Sequence, residues 1–289
     1  MPWMMVLTAP AVRGLSDADV LAAARQIGPG AGEPARLGPL AAEIPCPQRP
    51  SSSTWPAPDG VDVNIVPTAG REKRVLIADM DSTMIQSECI DELAADAGVG
   101  PHVAEVTERA MAGELDFEAA LAERVSLLAG LPESALASVW ATRIALSPGA
   151  RTLVQTMADR GAATALVSGG FTAFTARVAD ACGFHEHRAN RLEIIDGLLT
   201  GRVLSPILER DAKRAALEEL TARHGLTPAN ALCIGDGAND LAMIEAAGLG
   251  VGYRPKPLLA AACDAVVAHA DLTAALSLQG IPSAEFVDA

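Results

Sequence analysis

Three carboxylates crowd the end of an apolar run in the stretch LIADMDSTMIQSECIDE, residues 76–92. The apolar run predicts a buried strand, and Asp79, Asp81 and Glu88 follow it closely. Charges of one sign repel when they are held together, and burying them is costly unless a cation or protons compensate. We therefore expect a positive group at this strand end.

Two further polar clusters also follow predicted strands. SGGF begins at Ser168, and GDGAND contains Asp236, Asn239 and Asp240. Parallel strands place their ligands at their carboxyl ends, in one crevice. We therefore expect these sequence-distant clusters to be neighbours in the folded chain.

The aspartates of these clusters predict a Mg²⁺ site. Asp79, Asp81, Asp236 and Asp240 form a set of oxygen ligands without thiols or imidazoles, which is what a hard cation selects. The cation would also offset the repulsion among the carboxylates.

A phosphate site is expected beside the cation. Ser168 supplies a hydroxyl, and Gly169 and Gly170 supply closely spaced backbone N–H groups just before a predicted helix. Lys213, on a later predicted helix, could bring an ammonium group to the same place.

The elements that must position these residues alternate in type. Apolar patterns predict a strand at 75–78, a long helical stretch, a strand at 163–167, a helix at 172–182, a hairpin turning at Asp196-Gly197, a helix at 212–224, a strand at 231–234, a helix at 241–246 and a short strand near Gly250. This alternation indicates an α/β fold with a doubly wound parallel sheet.

A run of helices interrupts the alternation. Amphipathic helices are predicted at 88–97, 103–111, 117–129 and 133–140. We interpret residues 87–147 as a helical cap inserted after the first strand of the core, with residues 71–86 and 148–289 forming the core itself. The Pro-, Ser- and Gly-rich segment 43–70 predicts a boundary near residue 70, so residues 1–70 would form a small N-terminal module and linker.

Composition argues against several classes of partner. The 289 residues carry a net charge of −14, from 36 acidic and 22 basic side chains, and only 3% are aromatic. Nucleic acid and anionic membranes are therefore not expected as partners. The five cysteines are scattered, and no basic region precedes the first apolar residues, which predicts a cytoplasmic protein. The oligomeric state is left open, with a homodimer as one alternative.

Taken together, DMDST, SGGF, Lys213 and GDGAND resemble the four ordered motifs of the haloacid dehalogenase superfamily, and within it the phosphoserine phosphatases. The resemblance extends from Val75 to the C-terminus and includes the cap stretch VAEVTERAMAGELDFEAALAERVSLLAGL. Residues 1–70 resemble only weakly the degenerate ACT-like domain of some bacterial members. The resemblance implies a Rossmann-like core and a Mg²⁺-dependent enzyme.

The resemblance also implies roles for individual residues. Asp79 would be the nucleophile that forms an aspartyl-phosphate, and Asp81 would protonate the leaving oxygen and then deprotonate the hydrolytic water. The metal would be held by the Asp79 carboxylate, the Asp81 backbone carbonyl and the Asp236 carboxylate, with Asp240 supporting these ligands.

The transferring phosphoryl group would be bound by Ser168, Gly169 and Lys213. Asn239 would support the metal ligands and contribute to substrate binding. Lys213 would also restrain the charge of Asp79.

In the cap, the resemblance assigns substrate recognition. Glu88 and Arg124 would hold the ammonium and carboxylate of a serine moiety, and Phe117 would pack over the site. The function expected is hydrolysis of O-phospho-L-serine to L-serine and phosphate, the last step of serine biosynthesis.

Two alternatives are weighed against this function. One is a related phosphatase or phosphotransferase that acts on another small phosphomonoester. The other is a regulatory protein that uses the fold without turnover, although such a protein would be expected to lack Asp79 or Asp81, and both are present.

Overall fold

The computed structural model of this chain describes residues 2–28, 30–49, 57–111, 114–208 and 210–287, without the side chains of residues 111, 117 and 210. Its strands form two sheets, one of four strands and one of seven. The four-stranded sheet is made from residues that precede position 68, and the seven-stranded sheet from residues after position 74. The candidate chemistry lies in the second sheet.

The N-terminal sheet is antiparallel and is covered by one helix. Its elements are β1 (Trp3–Thr8), α1 (Asp17–Ile27), β2 (Ala35–Gly38), β3 (Ala41–Cys46) and β4 (Asp62–Pro67), in the strand order β2-β3-β1-β4. Strand β4 and most of β3 fall in the Pro- and Ser-rich segment 43–70, at whose end we placed a boundary. Burial alternates along both strands, but in β4 the buried positions are Asp62, Asn64 and Val66, and the apolar Val63 and Ile65 between them are only partly buried. The ACT-like character of this module and the division at residue 70 stay predictions.

The rest of the described chain alternates strands with helices after an initial run of helices. In chain order its elements are β5 (Val75–Ala78), α2 (Cys89–Asp96), α3 (Gly100–Met111), α4 (Phe117–Ser126), α5 (Ser134–Arg143), α6 (Ala150–Asp159), β6 (Ala163–Phe171), α7 (Thr172–Cys182), β7 (Glu186–Ile195), β8 (Leu198–Leu204), α8 (Arg210–Arg223), β9 (Ala231–Gly235), α9 (Leu241–Ala246), β10 (Leu249–Tyr253), α10 (Pro257–Ala260), β11 (Ala265–Val267) and α11 (Ala274–Leu278). The helical insertion α2–α5 follows the first core strand, as predicted.

The seven-stranded sheet has the order β11-β10-β9-β5-β6-β7-β8, and only the β7–β8 pair is antiparallel. This confirms the predicted α/β fold with a parallel sheet. The predicted hairpin also forms, with both Asp196 and Gly197 at positive φ. Strand β6 extends beyond its predicted end because the SGG segment bulges before the strand resumes at Phe171.

Strand β5 is the central strand of this sheet and is buried along its whole length. In register, Ala78 lies between Ile234 of β9 and Leu166 of β6. The carboxyl ends of these three strands are therefore level, which places the polar segments that follow them side by side.

The N-terminal sheet is tied to the core by buried polar contacts. The Asp62 carboxylate accepts hydrogen bonds from the backbone N–H groups of Ala268, His269 and Ala270, at 2.9 to 3.1 Å. The apolar side chains of Val6 and Val66 join the main core cluster. No helix in the described ranges is both long and apolar enough to span a bilayer.

Candidate active site

Asp79 lies at the end of β5, where the chain enters the tight turn Met80–Met84. Its backbone N–H donates to the Ile234 carbonyl of β9 (3.0 Å), which fixes its position at the strand end. The side chain is buried, and Oδ1 accepts hydrogen bonds from the Met80 N–H (2.8 Å) and from the Lys213 ammonium (2.7 Å). The strand thus positions a carboxylate whose Oδ1 accepts both of these hydrogen bonds.

Lys213 bridges two buried carboxylates. Helix α8 places its ammonium 2.7 Å from Asp79 Oδ1 and 2.6 Å from Asp240 Oδ1. Asp240 Oδ2 accepts from the backbone N–H groups of Asp236 and Gly237, both at 3.1 Å. Both oxygens of Asp240 are therefore used within the protein, so this residue holds the lysine and the loop in place.

A close approach at Gly235 makes this arrangement possible. A Cβ atom at this position would lie 2.3 Å from the Asp240 carboxylate, closer than any real Cβ contact. Glycine is therefore required where β9 runs into the GDGAND segment.

The carboxylates at the strand ends can hold a cation. One oxygen from each of Asp79, Asp236 and Asp240 lies within 4.8 Å of the others. Because Asp240 is occupied by Lys213 and the backbone, Asp79 and Asp236 are the carboxylates available as ligands. A site made only of oxygens, with no thiol or imidazole, suits Mg²⁺.

The charges of this cluster also favour a bound cation. Burial raises the pKa of Asp79 well above its usual range, the Asp240 carboxylate raises it further, and Lys213 opposes the shift. Burial raises the pKa of Asp236 as well, and Lys256 opposes that shift. A divalent cation beside these groups would favour their ionised forms.

Asp81 points toward the β6 loop, away from Lys213. Its Oδ1 accepts from the Cys89 N–H (2.9 Å), and its Oδ2 accepts from the Ser168 hydroxyl (3.3 Å). The turn that aims it there has Ser82 at φ 54°. Burial, with a contribution from the Glu88 carboxylate, raises the pKa of Asp81 to about 6. A carboxyl group in this range can both give and take a proton near neutral pH.

The SGG segment forms a loop at the end of β6. Residues 168–170 stand opposite a single residue of β7, so two extra residues leave the ladder as a bulge. Ser168 Oγ accepts from the Gly170 N–H at 2.9 Å, which closes the loop. A Cβ at Gly170 would lie 2.8 Å from Asp81 Oδ2, so only glycine fits beside this carboxylate.

The cap closes over these strand ends around a cavity of about 140 Å³. It is lined by Asp79, Asp81, Glu88, Ile90, Leu121, Arg124, Ser168, Gly169, Gly170, Phe171, Asp236, Asn239 and Lys256. The cavity therefore lies between the core and the cap, and residues that are far apart in the sequence line it together.

Glu88 and Arg124 bring opposite charges to the cap side of the cavity. Glu88 Oε1 accepts from the Ser82 hydroxyl (2.7 Å). The only hydrogen bond from the Arg124 side chain to the described residues runs from Nε to the Ala120 carbonyl (3.2 Å), within its own helix. Its neighbour Glu123 pairs instead with Arg109 at 2.6 Å. Burial lowers the pKa of Arg124, and Asp91 and Glu88 oppose this shift.

Most predicted site residues meet in this cavity, with three qualifications. Asp240, predicted as a supporting residue, does not line the cavity and instead contacts Lys213 and the backbone of residues 236–237. Lys213 does not line it, because the ammonium lies behind Asp79, so its direct contact with a phosphoryl group stays a prediction. Phe117 begins α4, but its side chain lies outside the described part of the chain.

The structure adds two residues that the sequence analysis missed. Lys256 lines the cavity with its ammonium 3.5 Å from Asp236 Oδ2, and its backbone N–H donates to the Asp236 carbonyl (2.8 Å). Asn190 lies behind the SGG loop. No spacing or motif singles out either residue in the sequence.

Comparison with known proteins agrees with this geometry. Residues 76–245 match the family model of haloacid dehalogenase-like hydrolases. This match covers more than half of the chain, and the chain belongs to that family of enzymes.

Two similar relatives are phosphoserine phosphatases. The Archaeoglobus fulgidus protein is 43% identical over 229 residues, which are 78% of this chain and 66% of the relative. The Streptococcus thermophilus protein is 48% identical over 187 residues, which are 65% of this chain and 86% of the relative. The chain thus spans about two thirds of the length of the first relative and most of the second.

A solved structure gives the same picture. It is a phospho-aspartyl intermediate analogue of a phosphoserine phosphatase, with a TM-score of 0.66 and 36% identity, and the match covers 71% of this chain and 98% of that one.

Proposed function

We propose that this enzyme hydrolyses O-phospho-L-serine to L-serine and phosphate, with Mg²⁺ and through an aspartyl-phosphate on Asp79. The observation that carries this proposal is the cavity itself, which combines a polar end lined by Asp79, Ser168 and Gly169 with one carboxylate and one guanidinium group on the cap side. The names of the relatives support the same substrate.

Each step can be assigned to side chains of this chain. Asp79 attacks phosphorus, the bond to the serine oxygen breaks, and Asp81 gives its proton to that oxygen. In the second half, Asp81 takes a proton from water as the water attacks the phosphoryl group, and Asp79 is released. Asp81 can serve in both halves because its pKa is raised to about 6, while hydrogen bonds from the Cys89 N–H and the Ser168 hydroxyl hold its carboxyl group at the cavity.

The polar end of the cavity supplies the groups that hold the phosphoryl oxygens. Ser168 and the backbone of Gly169 line it, and Lys213 fixes Asp79 from behind. Asp79 and Asp236 would hold the cation, which supplies positive charge for the developing negative charge on the phosphoryl oxygens.

The cap end of the cavity supports an amino-acid substrate. Glu88 and Arg124 both line this end, where Glu88 would pair with an ammonium group and Arg124 with a carboxylate. Arg124 is available for this role because its guanidinium makes only the one bond within its own helix among the described residues. Phosphoglycolate and sugar phosphates have no ammonium for Glu88 to bind. Serine release at the end of serine biosynthesis is the metabolic role that this substrate implies.

The test is phosphate release from a panel of phosphomonoesters, with Mg²⁺ and with a chelator. The panel contains L-phosphoserine, D-phosphoserine, phosphothreonine, phosphoglycolate and an aryl phosphate. We expect the highest kcat/KM for L-phosphoserine and no turnover with the chelator. A higher kcat/KM for phosphoglycolate would refute the assignment of Glu88 and Arg124 to substrate binding. Transfer of phosphate to an added alcohol in place of water would identify a phosphotransferase instead.

A further inference from the structure

A buried side-chain amide joins the SGG loop to the segment that leads into α8. Asn190 Nδ2 donates to the Gly169 carbonyl (2.8 Å), and Asn190 Oδ1 accepts from the Leu208 N–H (2.7 Å). The residue is only 1% exposed. Both ends of the amide are used, and at this burial solvent cannot take over either bond.

The bond to Gly169 compensates for the bulge in β6. Residues 168–170 leave the hydrogen-bond ladder between Val167 and Phe171, so their backbone groups lose strand partners. Asn190, which pairs in register with Phe171, donates to the partly buried Gly169 carbonyl and so replaces one of the lost strand partners. The loop can therefore stay out of the ladder and line the cavity.

The bond to Leu208 connects the same amide to the lysine helix. Leu208 lies shortly before α8, which carries Lys213 and thereby holds Asp79. One side chain thus joins the backbone of the loop to Leu208, two residues before the helix whose lysine holds Asp79.

We propose that Asn190 is a positioning residue, which sets the Gly169 backbone relative to Asp79 so that the phosphoryl group is bound in line for attack. This inference rests on the proposed function, because it assumes that the SGG loop binds the phosphoryl group. Asn190 does not line the cavity, so it acts through the loop and has no contact with substrate.

The variants that test it are Asn190→Ala and Asn190→Leu, and the second keeps most of the side-chain volume. The chain offers a matched control in Asn64, which is 8% exposed. Asn64 Nδ2 donates to the Val266 carbonyl (2.9 Å) and Oδ1 accepts from the Val266 N–H (2.8 Å), and neither residue lines the cavity. Asn64→Ala therefore removes the same pair of buried bonds without touching the loop.

The readouts are kcat and KM for L-phosphoserine, the inhibition constant of inorganic phosphate, and the thermal midpoint. Both Asn190 variants should raise the inhibition constant of phosphate at least tenfold, which corresponds to about 1.4 kcal/mol. Asn64→Ala should lower the midpoint and leave that constant unchanged. A smaller folded fraction lowers the apparent kcat alone, so the phosphate constant separates positioning from stability.

The outcomes distinguish this inference from the proposed function. If both Asn190 variants keep the wild-type inhibition constant, as Asn64→Ala should, the positioning role is refuted. If Asn190→Ala does not fold, Asn190→Leu decides. If the wild-type protein neither hydrolyses the phosphomonoesters nor binds inorganic phosphate, the proposed function fails and the inference fails with it.

Discussion

Replacing Lys213 by methionine tests the electrostatic design of the site. The ammonium is the bridge between Asp79 Oδ1 (2.7 Å) and Asp240 Oδ1 (2.6 Å), and all three residues are buried. Lys213→Met would leave two carboxylates facing each other without their shared cation. We expect both stability and activity to fall.

The size of the stability loss follows from the burial of the bridge. Removing one partner from a buried ion pair costs about 3–5 kcal/mol. For a unit of roughly 150–250 residues, each kcal/mol lowers the thermal midpoint by about 2–4 °C. The midpoint should therefore fall by about 6–20 °C in metal-free buffer.

The loss should also depend on pH. Without the ammonium, the pKa of Asp79 rises further above its value in the unfolded chain, so the folded variant binds more protons than the unfolded one. Stability then decreases as pH rises. The difference in midpoint between wild type and Lys213→Met should be larger at pH 8 than at pH 6.

The assays are thermal unfolding at both pH values and kcat/KM with Mg²⁺. A fall in kcat of about 10²–10³ is expected for a group that stabilises the charge of the reacting carboxylate. Lys73→Met is the matched control, since Lys73 is buried but donates to two backbone carbonyls, those of Gly70 and Ala229. If Lys213→Met unfolds like Lys73→Met and keeps kcat within tenfold of wild type, the bridge does not have the role assigned to it.

Four further outcomes are expected. Asp79→Asn should abolish turnover while the thermal midpoint shows a folded protein, because an amide cannot form the acyl-phosphate; near-wild-type activity would exclude Asp79 as nucleophile. Glu88→Gln and Arg124→Ala should each cost about 2–5 kcal/mol in kcat/KM for phosphoserine and much less for an aryl phosphate; equal losses on both substrates would mean that these residues do not select the amino acid. Chelation should remove activity, Mg²⁺ should restore it, and Ca²⁺, which prefers more ligands, should restore less; full activity in chelator would contradict the metal site. A truncated chain that begins at Arg71 should keep its substrate preference in kinetic assays but unfold at a lower temperature, because the backbone N–H groups of residues 268–270 lose the Asp62 carboxylate; a folded but inactive product would mean that the N-terminal module contributes to the site.

The sequence alone predicted six of the seven strands of the core sheet and the strand ends where the polar clusters lie, but not β11 or the strands of the N-terminal sheet. A short apolar run indicates a buried strand, and apolar residues at a spacing of three to four indicate a helix with one buried face. The strand before Asp79 and the helix after SGGF were therefore predicted with their observed bounds. The ends of parallel strands must converge, which is why Asp79, Ser168 and Asp236 could be assigned to one crevice before any coordinates. These features follow from local pattern and topology.

Tertiary structure decided how the charges at that crevice are divided. By residue type alone the four aspartates of the motifs are equivalent as cation ligands, and only the family resemblance gave Asp240 a supporting role. The structure supplies the physical reason, because Asp240 gives both oxygens to Lys213 and the backbone, and Asp81 turns toward Ser168. Which carboxylate oxygens remain available for a cation depends on the direction of each side chain and on partners that are distant in the chain. Residue type and spacing do not specify the direction or the partners.

The supporting contacts also depended on the fold. Asn190 lies in a strand with no motif around it, and Asp62 lies in a segment whose composition suggested a linker. The role of each residue is visible only in the structure, where its side chain bonds to backbone groups of another segment. Asn190 bonds to the Gly169 carbonyl, and Asp62 bonds to the N–H groups of residues 268–270. The sequence pattern indicates which residues are buried. The hydrogen-bond partner of a buried polar group depends on which distant segments pack against it, and this is known only from the folded structure.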